Sequence, residues 1–165
     1  MDTGPQNTSH ISSNDETTGT ATICSFSVVV RTSALEAAET DAYVFVQLCD
    51  NGGNKTDKVK LKCSLTHRKK YQRGHSDLFL LVDQPSLGKL ASIEITHIVK
   101  DRADANHLRW HLHSIWVIDH DTFLLYRFPC GVWIGNETRQ PSTIELPVDG
   151  EPFRIVPVDL SQTFE

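Results

Sequence analysis

No stretch of this 165-residue chain is continuously apolar over the ~20 residues that a membrane-spanning helix requires. Residues 1–20 lack the basic and apolar regions of a secretory signal, being rich instead in Thr, Ser, Asn and Gly. The expectation is therefore an intracellular, cytoplasmic chain, at most peripheral on a membrane. No Cys-x-x-Cys pair occurs, which excludes the common zinc and redox spacings. Cys24, Cys49, Cys63 and Cys130 read as scattered reduced thiols, with the first three inside or beside strand-like runs. The sequons at Asn7, Asn54 and Asn136 would matter only in a secretory compartment. There is no Gly-x-Ser-x-Gly elbow, phosphate-binding glycine loop or His-Glu-x-x-His helix, so catalysis has no visible carrier. Nor is a helical hydrophobic period sustained anywhere in the chain.

The 39% of hydrophobic and 22% of charged residues fit a globular domain. Charge is unevenly spread. Lys55, Lys58, Lys60, Lys62, Arg68, Lys69, Lys70 and Arg73 face only Asp57, so a chain of net charge -5 contains one strongly basic segment. That asymmetry points to an anionic partner, and no feature suggests nucleic acid.

Residues 1–20 are too polar to order themselves and read as a disordered tail. From Thr22 the pattern becomes period two. Cys24, Phe26, Val28 and Val30 share one face of a strand, and Val44, Val46 and Leu48 one face of a central strand. Asp50-Asn-Gly-Gly-Asn54 is a turn. Lys58 to Cys63 alternates, predicting three lysines outside and Val59, Leu61 and Cys63 inside. Further strands are expected over 77–82, 91–99, 108–119, 122–128, 132–134 and 143–146. A shift of face between Leu112 and Ile115 implies a bulge. Many short strands with regular turn signals predict an all-β sandwich.

Four separated motifs then agree. Thr40-Asp41-Ala42-Tyr43-Val44 opens a strand; Tyr71-Gln-Arg73-Gly74 precedes Asp77-Leu-Phe79; Trp110-His-Leu112 leads to Ile115-Trp-Val117; Phe128-Pro-Cys130 is followed by Trp133. In this order they resemble the PLAT, or lipoxygenase homology, domain over roughly Thr22 to Trp133. The resemblance implies a β-sandwich of two four-stranded antiparallel sheets, assigned to 21–147 with a C-terminal extension over 148–165. It also implies a non-catalytic adaptor. Trp110, Leu112, Phe128 and Trp133 would be core anchors, and Arg73, Gly74 and Asp77 structural, with Arg73 pairing a carboxylate.

Calcium-binding members of that family supply oxygen ligands from loops at one end of the sandwich. Asp41 matches the family aspartate, and Asp50 and Asn54 are further candidates. The third loop departs from the family pattern: Ile98 stands where an aspartate is expected, leaving Asp101 and Asp104 as substitutes beside Lys100 and Arg102. For docking to an anionic phospholipid membrane the candidates are Lys58, Lys60, Lys62, Arg68, Lys69, Lys70 and Arg73. Each basic residue near such a surface contributes ~1 kcal/mol. The resemblance adds Trp116 as an apolar anchor, because it is out of phase with Ile115 and Val117. A solvated lysine face is the alternative. His111 and His113 share a strand face and suit a metal pair, with His97 or His120 as third ligand; a strand rich in histidine by accident is the alternative. The expected function is a targeting module for anionic membranes, calcium-modulated at most. The alternatives are a protein-interaction module, including one for a membrane-associated protein, or a regulatory domain of a larger polycystin-like or lipid-modifying protein.

Overall fold

The computed structural model describes residues 22–101, 103 and 107–155, with Met1 and Gly4. The rest of the expected 1–20 tail, Arg102, Asp104 and the last ten residues of the 148–165 extension lie outside the described residues.

Alternating side chains produce nine strands: β1 (Ile23–Thr32), β2 (Tyr43–Asp50), β3 (Val59–Lys60), β4 (Ser76–Pro85), β5 (Leu90–Ile98), β6 (Trp110–Asp119), β7 (Leu124–Ile134), β8 (Ser142–Pro147) and β9 (Phe153–Arg154). They form two antiparallel sheets, ordered β4-β1-β6-β7-β9 and β3-β2-β5-β8. The first sheet has five strands, not the four expected. β9 sets Arg154 and Phe153 against Leu124 and Leu125 of β7; flanked by prolines and two residues long, it carries no periodic signal. The two runs expected over 122–128 and 132–134 are one strand, β7, bent at Pro129–Gly131.

The inward faces interdigitate. Phe26, Val28 and Val30 of β1, Leu112, Ile115 and Val117 of β6 and Phe128 of β7 meet Val44, Val46 and Leu48 of β2 and Ile93 and Ile95 of β5, all essentially inaccessible. Each such large apolar side chain contributes roughly 1.5–3 kcal/mol. Trp110 closes one end of this core: its indole N–H donates to Thr32 Oγ1 at 3.0 Å, and its ring lies 5.2 Å from Tyr71 and 6.1 Å from His97. Trp133 departs from its expected place. It is 38% exposed, because it shares the outer face with its partner His111, against which it packs edge-on at 4.9 Å. Cys63 is likewise exposed, since β3 ends at Lys60 and the chain leaves the sheet; Cys24 is buried, and Cys49 and Cys130 are half-buried.

One glycine fixes the turn after β7. Gly135 has φ of 111°, and a Cβ there would stand 2.4 Å from the Leu108 carbonyl oxygen. Gly135→Ala should therefore cost at least about 2 kcal/mol from backbone strain alone, read as a lowered urea midpoint with unchanged slope.

Candidate functional site

Four connections lie at the Trp110 end: β1–β2 (33–42), β3–β4 (61–75), β5–β6 (99–109) and β7–β8 (135–141). The basic loop 61–75 is built on Asp77, which is fully buried. Its carboxylate accepts from Ser64 Oγ at 2.7 Å and from the Tyr71 amide at 2.9 Å, and His67 Nδ1 stands 3.5 Å away. Tyr71 turns inward at φ of 58°, and burial pushes its hydroxyl well above the usual range, with the Asp77 charge adding to the effect. Gly74, at φ of 75°, donates to the Ser33 carbonyl at 3.0 Å and ties this loop to the 33–42 connection. The motif around Gly74 and Asp77 marks both residues as structural, but their partners Ser64 and Ser33 carry no signal in the sequence.

The basic residues fall into distinct environments. Lys60 Nζ sits 3.8 Å above the Tyr43 ring, and Lys100 Nζ approaches the same ring at 5.2 Å. Lys70 Nζ donates to the Leu61 and Lys62 carbonyls at 2.9 and 2.8 Å. Burial lowers its pKa, helped by the neighbouring charges of Lys100 and Lys60. Lys100, read from the sequence only as hostile to a cation, thus belongs to the basic cluster. Lys62, Arg68, Lys69 and Arg73 are exposed, and among the described residues Arg73 has no ion-pair partner. Lys58 is paired with Glu94 at 3.2 Å, which removes it from the free positive charge. Leu65, 60% exposed, stands in the same loop as an apolar residue among cations.

Trp116 lies elsewhere. It is 45% exposed in mid-strand on β6, between Val29 and Arg127, on the outer face of the opposite sheet. It does not join Lys60, Lys100 and Tyr43, which belong to the four-stranded sheet and its loops.

The calcium candidates separate as well. Asp41, just before β2, and Asp101, just after β5, are exposed at the basic end, because Tyr43 pairs with Ile98. Asp50 and Asn54 are at the far end of β2, eight residues from Tyr43 to Asp50 and so roughly 23 Å away. Asp50 has no oxygen to spare. Oδ1 accepts from the Gly52 and Asn54 amides at 2.9 and 2.8 Å; Oδ2 accepts from Asn54 Nδ2 at 3.1 Å and the Gly88 amide at 2.9 Å. Burial would raise its pKa, but these bonds outweigh burial and hold it below the usual carboxylate range. Asp50 and Asn54 are therefore a turn clasp, not ligands. The sequence pattern missed Glu39. It lines a concavity of about 280 Å³ with Thr40, Asp41, Lys69, Gln72 and His107, and its buried Oε2 has no hydrogen-bond partner among the described residues.

The histidines do not converge either. His97 is buried beside Thr40 Oγ1 at 3.0 Å, His111 Nδ1 meets Ser33 Oγ at 2.5 Å, His113 Nδ1 meets Ser114 Oγ at 2.8 Å and His120 Nε2 meets Ser27 Oγ at 2.7 Å. Among the described residues one metal-type group exists: Cys24, Asp119 and Asp121. Burial, then Asp119, pushes the Cys24 thiol up to about 12, so it keeps its proton and is a poor ligand.

A fold with these loops is met elsewhere. The profile of the PLAT/LH2 domain family matches residues 26–146. Lipoxygenase homology domain-containing protein 1 of Mus musculus is 30% identical over 120 residues, which is 73% of this chain and 6% of the relative. The chain thus spans a small fraction of that relative's length. Among solved structures, a LOX in complex with arachidonate superposes with a TM-score of 0.63 at 20% identity, over 85% of this chain and 19% of the other. A coral 8R-lipoxygenase, described as showing calcium activation via a C2-like domain, superposes at 0.59 with 21% identity, over 84% and 19%.

Proposed function

The chain belongs to the PLAT/LH2 domain family, and from that membership we propose that it is a non-catalytic targeting module that docks on anionic phospholipid membranes from the cytoplasmic side. The observation that carries the reading is the gathering of cations at this end: Lys60 and Lys100 share the Tyr43 ring, and Lys70, over the Tyr71 ring at 5.6 Å, has its pKa lowered by burial and then by the charges of those two lysines. Like charges held together favour an anionic surface. Lys62, Arg68, Lys69 and Arg73 extend the field, and Leu65 offers an apolar side chain for the headgroup region. Leu65 takes the anchoring role first assigned to Trp116.

Calcium enters as a modulator. The buried, unpartnered Glu39 oxygen beside Asp41 fits a hard cation, while Lys69 in the same concavity opposes one. That mixture supports weak binding that strengthens when lipid phosphates complete the coordination. Glu39 and Asp41 would hold the ion, and the ion would supply positive charge facing the membrane.

Co-sedimentation of the chain with phosphatidylserine-containing vesicles, and not with neutral ones, is the expected result. Reversing Lys60, Lys62 and Lys69 to glutamate together should lower the partition coefficient at least about a hundredfold. Binding should weaken in high salt, and chelator should reduce it while leaving part intact. Absence of pelleting with every vesicle and buffer would sink the reading. A protein-partner function is then the alternative, favoured by Leu80, Val82, Trp116 and Phe153 exposed on the five-stranded sheet.

A further inference from the structure

The outer face of the five-stranded sheet holds a groove whose lining includes none of the basic residues of the 61–75 loop. Two irregularities in strand pairing make it. The β1–β6 register shifts between Arg31 and Thr32, and the β6–β7 register shifts between Leu112 and Ser114. Opposite the second shift, β7 passes through Pro129, Cys130 and Gly131, the last at φ of 73°. Little side-chain bulk fills the space that the bulge opens. The resulting groove encloses about 690 Å³, within the range of small-molecule clefts, about 300–1,000 Å³.

Its lining is apolar with two cationic posts. Val29 and Trp116 pair across β1 and β6, and Arg127 lies beyond Trp116 on β7. Arg31 stands two residues along from Val29, opposite Ser114. The two arginines sit on strands two spacings apart, about 10 Å. Side chains of that length from both sides can reach one ligand lying over Trp116. Among the described residues neither guanidinium has an ion-pair partner, and Arg127 Nε is buried with no acceptor. Stacking 4.6 Å from the Phe153 ring centroid holds the Arg127 head in place.

We propose that this groove binds a small amphipathic carboxylate, its apolar body on Trp116 and Val29 and its carboxylate between Arg127 and Arg31. The forked donors of a guanidinium match the two coplanar oxygens of a carboxylate. A single negative charge is favoured over two, because Asp149 also lines the groove and would oppose a second one. The site is distinct from the Lys60, Lys100 and Tyr43 cluster, which lies on the four-stranded sheet.

The test titrates the isotope-labelled full chain with naphthylacetate and, separately, with its neutral amide, following amide and indole N–H resonances. Saturable shifts are expected at the Trp116 indole and at Val29, Ser114 and Cys130, with the acid binding about tenfold more tightly than the amide. Arg127→Gln and Arg31→Gln should each reduce that preference while the amide still binds. Lys60→Glu should change nothing. Equal affinity for acid and amide, shifts confined to the basic loop, or shifts that never saturate would each overturn the assignment.

Discussion

Trp110→Ala should lower the free energy of unfolding by about 3–5 kcal/mol, the largest effect expected from one substitution in this chain. Trp110 is wholly buried, and its removal leaves a cavity beside Tyr71 and His97. It also strips Thr32 Oγ1 of its donor at the point where β1 leaves the sheet. The damage should be uneven. Tyr71, Thr40 and His97 all belong to the loop end, so amides of 61–75 should lose protection from hydrogen exchange before those around Asp50 do. Urea unfolding gives the magnitude, and exchange gives the location. A loss below about 1 kcal/mol would mean the indole is not the keystone of that end.

Acid should loosen the same end through His97. Burial lowers its pKa from the ordinary 6.5 to about 4, with a smaller opposing influence from Asp41. The folded chain therefore refuses a proton that the unfolded chain accepts. Stability from this group is complete above the unfolded pKa, falls as pH drops through the window from 6.5 to about 4, and levels off below it. The whole window corresponds to about 3 kcal/mol as an upper bound. Unfolding measured near pH ~7 and again near pH ~4.5 should show most of that loss. His97→Gln can keep a bond to Thr40 but has nothing to protonate, so it should be less stable than the parent near neutrality and lose less on acidification. Identical pH dependence in both proteins would remove His97 from the account.

The core was legible because burial has the same period as the strand. Phe26, Val28 and Val30, or Val44, Val46 and Leu48, announce their face whatever lies opposite. Even the β6 bulge shows, as two apolar steps out of phase between Leu112 and Ile115. What the pattern hid depends on partners far along the chain. Asp50 reads as one more turn acid until Gly88, which no periodicity connects to it, is seen donating to its carboxylate. Lys58 reads as free charge until Glu94 faces it across β2. Trp116 was placed outside correctly, yet an exposed phase does not say which of two outer faces it occupies. Glu39 escaped notice because an orphaned oxygen is a property of packing.

Loop 61–75 does something besides carrying charge. The Leu65 amide donates to the Leu78 carbonyl, and Thr66 Oγ1 donates to the Ser76 carbonyl and accepts from the Leu78 amide, so the loop runs along the outer margin of β4 and occupies its free backbone groups. On the neighbouring sheet, β3 is only two residues long and carries a lysine. At the start of β4 this side of the sandwich therefore offers little open backbone to a second molecule. Copies crowded together on a surface would meet covered backbone and mutual repulsion there, which works against edge-to-edge pairing at high local concentration.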